Sequence, residues 1–124
     1  MMEGVAFQLK YILNSLQGVE KLDEILLLGG GARSAVWTQA IADVFGVEAC
    51  VPHVEEVGTL GLAILLSAGL GIYNSIEEAQ GKVGLPIVRR IYPRDAHRRR
   101  YDEMYGLYCD LEEALMKFWL RGRK

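Results

Sequence analysis

Residues 24–45 read EILLLGGGARSAVWTQAIADVF, and this stretch decides the fold. Glu24 to Leu28 is a short, continuous and mainly apolar run, as expected of a parallel strand covered on both faces. Gly29, Gly30, Gly31, Ala32, Arg33 and Ser34 follow as a glycine-rich turn. Trp37, Ala40, Ile41, Val44 and Phe45 then recur at helical spacing, with Ser34 placed to cap the helix start and Gly46 to end it. Val47 to Val51 reads as a second buried strand that Pro52 stops. Strand, glycine turn, helix and strand form a βαβ unit, which places the chain in the α/β class.

Upstream, Val5, Leu9, Ile12, Leu13 and Leu16 fall on one face of an amphipathic helix, with Gln8, Lys10, Asn14 and Gln17 facing elsewhere. The chain starts almost inside this helix, with neither cap nor preceding strand, as a truncated chain or the product of a split gene would. Downstream, Val57 to Leu70 is apolar almost all round and is expected to lie deep between neighbours. Ser75, with Glu78 three residues on, has the form of a capping box for a short helix ending near Gly81 or Gly84. Ile87 to Tyr92 is extended but indistinct. From Asp95 onward Tyr101, Met104, Tyr105, Tyr108, Leu111, Leu115 and Phe118 repeat every three or four residues, giving a long last helix with one aromatic face.

Composition narrows the function. The 124 residues suit one domain, 51% of them are apolar, and 14 Lys and Arg nearly balance 16 Asp and Glu. The densest basic cluster, Arg98 to Arg100, is followed at helical spacing by Asp102 and Glu103, the pattern of a solvated helix face rather than of a nucleic-acid surface. Cys50 and Cys109 have neither metal-ligand nor redox spacing, and His53 and His97 do not complete a four-ligand set, so no metal site is expected and a reduced, cytoplasmic setting is. The apolar stretch from Val57 to Leu70 falls short of the roughly 20 residues a membrane span needs.

The glycine turn is where chemistry is expected. Glycines let a ligand approach the backbone closely, several N–H groups converge there, and the helix start favours negative charge, so phosphate suits the place. A side chain on Gly30 or Gly31 would obstruct such a ligand. A tight turn that simply joins strand to helix is the other reading of the same residues. No lysine followed by serine or threonine closes the turn, so it is not a Walker A loop. It resembles a dinucleotide fingerprint, but Pro52 and His53 stand where that pattern wants a ribose-binding carboxylate, which argues against NAD.

The stretch LLLGGGARSAVWTQAIAD, ending at Asp43, closely resembles the adenosine-binding segment of the FGGY carbohydrate kinases, especially the xylulokinase-like members. EGVAF (Glu3 to Phe7) resembles the helix before that segment, EEVGTLGLAILLSAGLGIY (Glu55 to Tyr73) the buried helix after it, and the tyrosine-rich last helix the family's C-terminus. The resemblance implies an α/β fold in which residues 1–124 are the C-terminal part of a ribonuclease-H-like domain of the actin and hexokinase type, incomplete here, with short parallel strands and covering helices. It also implies ATP with Mg2+ as cofactors and a sugar hydroxyl, xylulose foremost, as acceptor. Gly30, Gly31 and Ala32 would line the nucleotide's phosphate and ribose side, Arg33, Ser34 and Gln39 would lie nearer the adenosine, and Gly29 would complete the nucleotide-binding set.

The family's catalytic base and sugar-binding residues lie upstream of everything matched. Asp23, Asp43, Asp95, Asp102 and Asp110 are therefore expected to serve solvated or capping roles, and the chain alone is expected to be inactive. Phosphoryl transfer is chiefly positioning and charge stabilisation around the nucleotide, so half a cleft would bind nucleotide without an acceptor site. Uncovered apolar faces imply self-association or pairing with an upstream segment. A noncatalytic packing fragment with a structural glycine turn is the alternative.

Overall fold

The computed structural model describes residues 2–16, 22–53 and 56–121. In chain order it contains α1 (Met2–Ser15), β1 (Glu24–Leu26), a 3-10 turn (Gly30–Arg33), α2 (Ala35–Phe45), β2 (Glu48–Pro52), α3 (Val57–Gly69), α4 (Ile76–Val83), β3 (Ile87–Ile91) and α5 (Asp95–Arg121). The expected βαβ unit is β1, α2 and β2, and Leu27 N–H donates to Cys50 O at 2.8 Å, carrying the parallel pairing one residue past β1. The indistinct segment is β3, which pairs antiparallel with β2, so the three-stranded sheet is mixed rather than purely parallel. The register shifts between Val51 and Pro52, where proline has no N–H to give the ladder.

Local signals set α2. The Ser34 hydroxyl accepts from Trp37 N–H at 3.3 Å, and Gly46 ends the helix in the left-handed conformation at φ 71°, returning its N–H to Ala42 O. One side of α2 meets the sheet, where Ala42 and Ala49, both fully buried, allow close approach beside Ile91 and Ile25. Its other side carries Ile41 and Val44 against Ala6 and Phe7 of α1 and against Tyr101, Tyr105 and Tyr108 of α5. Phe7 is ringed by the three tyrosines, with centroids 6.2, 6.0 and 5.7 Å away, spacings at which aromatic pairs attract. The order of layers is therefore sheet, α2, then α1 with α5.

Two expectations about helix faces are corrected. On α1 the apolar stripe of Val5, Leu9 and Ile12 is exposed, and the helix is buried instead at Ala6 and Phe7, with Gln8 and Lys10 half-buried and Asn14 exposed; Gln17 lies outside the described residues. Lys10 Nζ donates to Val44 O at 2.7 Å, satisfying a C-terminal carbonyl of α2, Asn14 donates to the Tyr105 hydroxyl, and Gln8 accepts from Tyr108. On α3 no residue is buried, and Leu62, Leu65 and Leu66 are more than half exposed. Periodicity reports what a helix face suits, and among the described residues α3 packs chiefly against α4, with Leu28 across a hollow from it. No described helix is long and apolar enough to cross a membrane.

Asp43 clasps the architecture together. It is on α2, its side chain has no exposure, and it accepts from Arg94 N (2.8 Å), Arg94 Nε (3.0 Å), Arg94 Nη2 (2.7 Å) and Gln39 Nε2 (2.9 Å). His97 Nδ1 lies 3.5 Å away. Burial pushes its carboxyl pKa up, but the Arg94 and Gln39 hydrogen bonds outweigh burial and hold it below the usual value. The bend between β3 and α5 is fixed to α2 by this one carboxylate.

Candidate functional site

The C-terminal ends of β1 and β2 open onto a cavity of about 430 Å³. Its rim is the glycine turn, and the turn's shape follows from its residues. Gly29 sits at φ 84° and ψ −170°, a conformation that a side chain would strain, and its carbonyl accepts from Ala32 N–H at 3.1 Å to close the 3-10 turn. Gly31 is required for a different reason. A Cβ there would lie 2.9 Å from Nε1 and 3.1 Å from Cδ1 of Trp37, so the glycine admits the indole of its own chain rather than a ligand. A Cβ on Gly30 would meet open space.

The seven residues singled out from sequence divide between places. Gly29, Ala32 and Arg33 line the cavity at the strand ends, with Leu28, Val51 and Pro52 as apolar wall. Gly31 and Ser34 border a second hollow of about 410 Å³, with Trp37, Met2 and Val5. Gly30 stands in the turn between them. Gln39 is not brought to the turn: both of its amide contacts, Asp43 Oδ1 and Tyr92 O at 2.9 Å each, belong to the clasp. Its i,i+4 spacing from Asp43 on α2 was legible, but the Tyr92 carbonyl and the Arg94 partner of Asp43 that make this pair a clasp are set by the tertiary fold.

Arg89 is the cavity residue that sequence reasoning missed. It lies on β3, lines the cavity with Arg33, and its Nη2 donates to Ala32 O. Alternation along Ile87–Ile91 puts Ile87, Arg89 and Ile91 on the less exposed face and Val88 and Arg90 on the other, a pattern too short to stand out in sequence. Among the described residues no carboxylate lines either hollow beside the turn. Asp43 is committed to the clasp, and Asp102 lies 3.7 Å from Lys10 and 4.0 Å from Arg98. The ligand atoms of Glu24, Glu48 and Cys50 cluster within 4.8 Å, but Arg90 already supplies the positive charge there, 2.5 Å from Glu48 and 3.8 Å from Glu24. Burial pushes the Cys50 thiol pKa up, as the neighbouring Glu24 also does, so the thiol stays protonated.

Residues 1–70 match the C-terminal domain of the FGGY family of carbohydrate kinases. The chain belongs to that family. The L-xylulose/3-keto-L-gulonate kinase of Escherichia coli (strain K12) is 36% identical over 122 residues, covering 96% of this chain and 24% of that protein. The autoinducer-2 kinase of Enterobacter sp. (strain 638) is 38% identical over 82 residues, covering 66% of this chain and 15% of that protein. The ligand-bound xylulose kinase of Lactobacillus acidophilus superposes with a TM-score of 0.76 at 25% identity, over 93% of this chain and 23% of that one. Its FGGY fold is the ribonuclease-H-like fold of actin and hexokinase, of which this chain forms an α/β part with a small mixed sheet. The chain spans about a quarter of the length of the L-xylulose/3-keto-L-gulonate kinase it matches.

Proposed function

We propose that this chain is the nucleotide-cradling portion of an FGGY kinase that moves the γ-phosphate of ATP to a sugar hydroxyl, with xylulose the favoured acceptor. The observation that carries the reading is the glycine turn at the ends of two parallel strands, where Gly29, Ala32 and Arg33 border an open cavity. Open α/β sheets bind ligands at that end. Gly29 to Ala32 would face the nucleotide, with Arg33 and Ser34 on the adenosine side, and Gln39 would act only through Asp43. Mg2+ would travel with the phosphates, because no carboxylate among the described residues lines the cavity to hold it.

The acceptor site and catalytic base would come from an upstream portion, so this chain alone would bind nucleotide without turnover. Leu62, Leu65 and Leu66 on α3, and Phe118 and Trp119 on α5, are exposed apolar side chains that such a portion, or another copy, would cover. The setting would be cytoplasmic, with neither membrane nor nucleic acid as partner. One observation favours a structural reading of the turn instead: Gly31 is explained by Trp37 alone. Calorimetric titration with ADP and Mg2+, NAD serving as control, separates the two. The proposal expects saturable ADP binding that Gly30→Val weakens at least tenfold while the variant stays folded, because that Cβ enters open space. Equal ADP affinity in the folded variant and the wild type would leave the turn merely structural.

A further inference from the structure

Arg89 reaches the glycine turn from the far side of the fold, 57 residues along the chain from the Ala32 carbonyl that its Nη2 meets. A guanidinium has five N–H donors in a planar fork, and Ala32 O is the one acceptor Arg89 finds among the described residues. Its Nε is buried without a partner. The neighbouring arginines are matched: Arg90 pairs with Glu48, and Arg94 with Asp43. The buried Nε is out of a ligand's reach, but Arg89 also lines the cavity, so the donors of its fork other than Nε and the one given to Ala32 are those an acceptor from outside the chain would meet.

The cavity says what kind of acceptor. Leu27, Leu28, Val51 and Val88 make its walls apolar, while Arg33 and Arg89 are its charged members among the described residues, with no described carboxylate between them. Such a lining rejects cations and suits a flat group with apolar faces and an edge of acceptors. A purine base has both, its ring nitrogens accepting hydrogen bonds and its π-faces stacking on guanidinium planes. We infer that Arg89 is a specificity-determining residue of the nucleotide site, donating to the acceptor edge of the purine while it holds the glycine turn through Ala32. The inference rests on the nucleotide-binding reading above. It also narrows the reading above: the base enters the cavity beside Gly29, Ala32 and Arg33, which takes Ser34 off the adenosine side and leaves Gly31 and Ser34, at the other hollow with Trp37, out of contact with it.

The test is equilibrium binding of adenosine, ADP and inorganic tripolyphosphate to the wild type, Arg89→Met and Arg89→Lys, with thermal melts to confirm folding. Arg89→Met should weaken adenosine and ADP alike by about tenfold, the usual weight of a hydrogen bond to a charged group, and leave tripolyphosphate unchanged. Arg89→Lys, which keeps one donor but not the fork, should recover part of the loss. In the wild type the Arg89 Nε–H resonance should shift on saturation with adenosine, which a purely structural arginine would not show. Wild-type adenosine affinity in folded Arg89→Met, or an Nε–H resonance indifferent to adenosine, overturns the inference and leaves nucleotide binding standing. Loss of tripolyphosphate binding alone moves Arg89 to the phosphates and overturns the base assignment. A wild type that binds neither adenosine nor ADP removes the nucleotide reading and this inference with it.

Discussion

Replacing Asp43 by Asn keeps the side chain's shape and tests the clasp by charge alone. Four donors, three from Arg94 and one from Gln39, converge on two carboxylate oxygens. In the variant one oxygen becomes an NH2 group that faces donors, so at least one charge-assisted hydrogen bond is lost and another is replaced by a clash. Bonds of this kind contribute about 1.5–3 kcal/mol, and removing one member of a fully buried pair costs about 3–5 kcal/mol. The Arg94 side chain is 52% exposed and can be rehydrated, which sets the expected loss toward the lower end, about 2–3 kcal/mol. For a chain of this size that is a fall in melting temperature of about 8–12 °C. The sign of the pH dependence follows from Asp43's depressed folded pKa. The contribution is fully present above the unfolded carboxyl value of about 3.9 and is lost as pH falls through the folded value. Melts of the wild type and Asp43→Asn should therefore differ by a constant amount above pH 5 and converge below pH 4. In Asp43→Asn combined with Arg94→Met, the loss should be smaller than the sum of the single losses, since the pair acts as one unit. A difference under about 0.5 kcal/mol at pH 7, or one that persists undiminished to pH 3, would refute the clasp.

Gly31→Val should lower the melting temperature more than Gly30→Val, because only the first collides with the Trp37 indole, and equal melts would contradict that packing. Phe7→Ala removes the ring that Tyr101, Tyr105 and Tyr108 surround and should cost about 3–5 kcal/mol in chemical denaturation, with a loss below 1 kcal/mol refuting its place in the core. The Tyr108 hydroxyl, pushed up to about 12 by burial and by its hydrogen bond to Glu112, should still be protonated at pH 11 by ultraviolet titration, and ionisation near pH 10 would show it to be exposed. With so many exposed leucines on α3 and aromatics at the end of α5, sedimentation at micromolar concentration should show self-association, and a stable monomer would contradict it.

The parts of this fold that local chemistry governs were legible in the sequence. Ser34 and Gly46 bracket α2 as capping rules require, Ser75 accepts from Glu78 N–H at 3.1 Å, and the tyrosines of α5 share one face. The capping box is only half formed, since the Glu78 carboxylate turns to Asn74 instead of Ser75. What was not legible depends on partners distant in sequence. The inward face of α1 holds Ala6 and Phe7, and its polar Gln8, Lys10 and Asn14 reach α2 and α5 with their ends, so a hydrophobicity pattern points the helix the wrong way round. The apolar pattern of α3 describes a helix suited to burial, but it cannot say whether the covering neighbour is on the same chain. At the site, the glycines were visible because their spacing is local, while Arg89 was not, because its link to Ala32 exists only once β3 has paired with β2.

The central claim is that the glycine turn holds an adenine nucleotide, and following backbone amide resonances during titration with ADP and Mg2+ tests it most directly. The account predicts saturable shifts concentrated at Gly29, Gly30, Ala32 and Arg33 and at their cavity neighbours Val51 and Arg89, with the amides of α3 and of the end of α5 unmoved. A well-folded chain whose turn resonances stay still at saturating ADP, or whose shifts gather elsewhere, would contradict it.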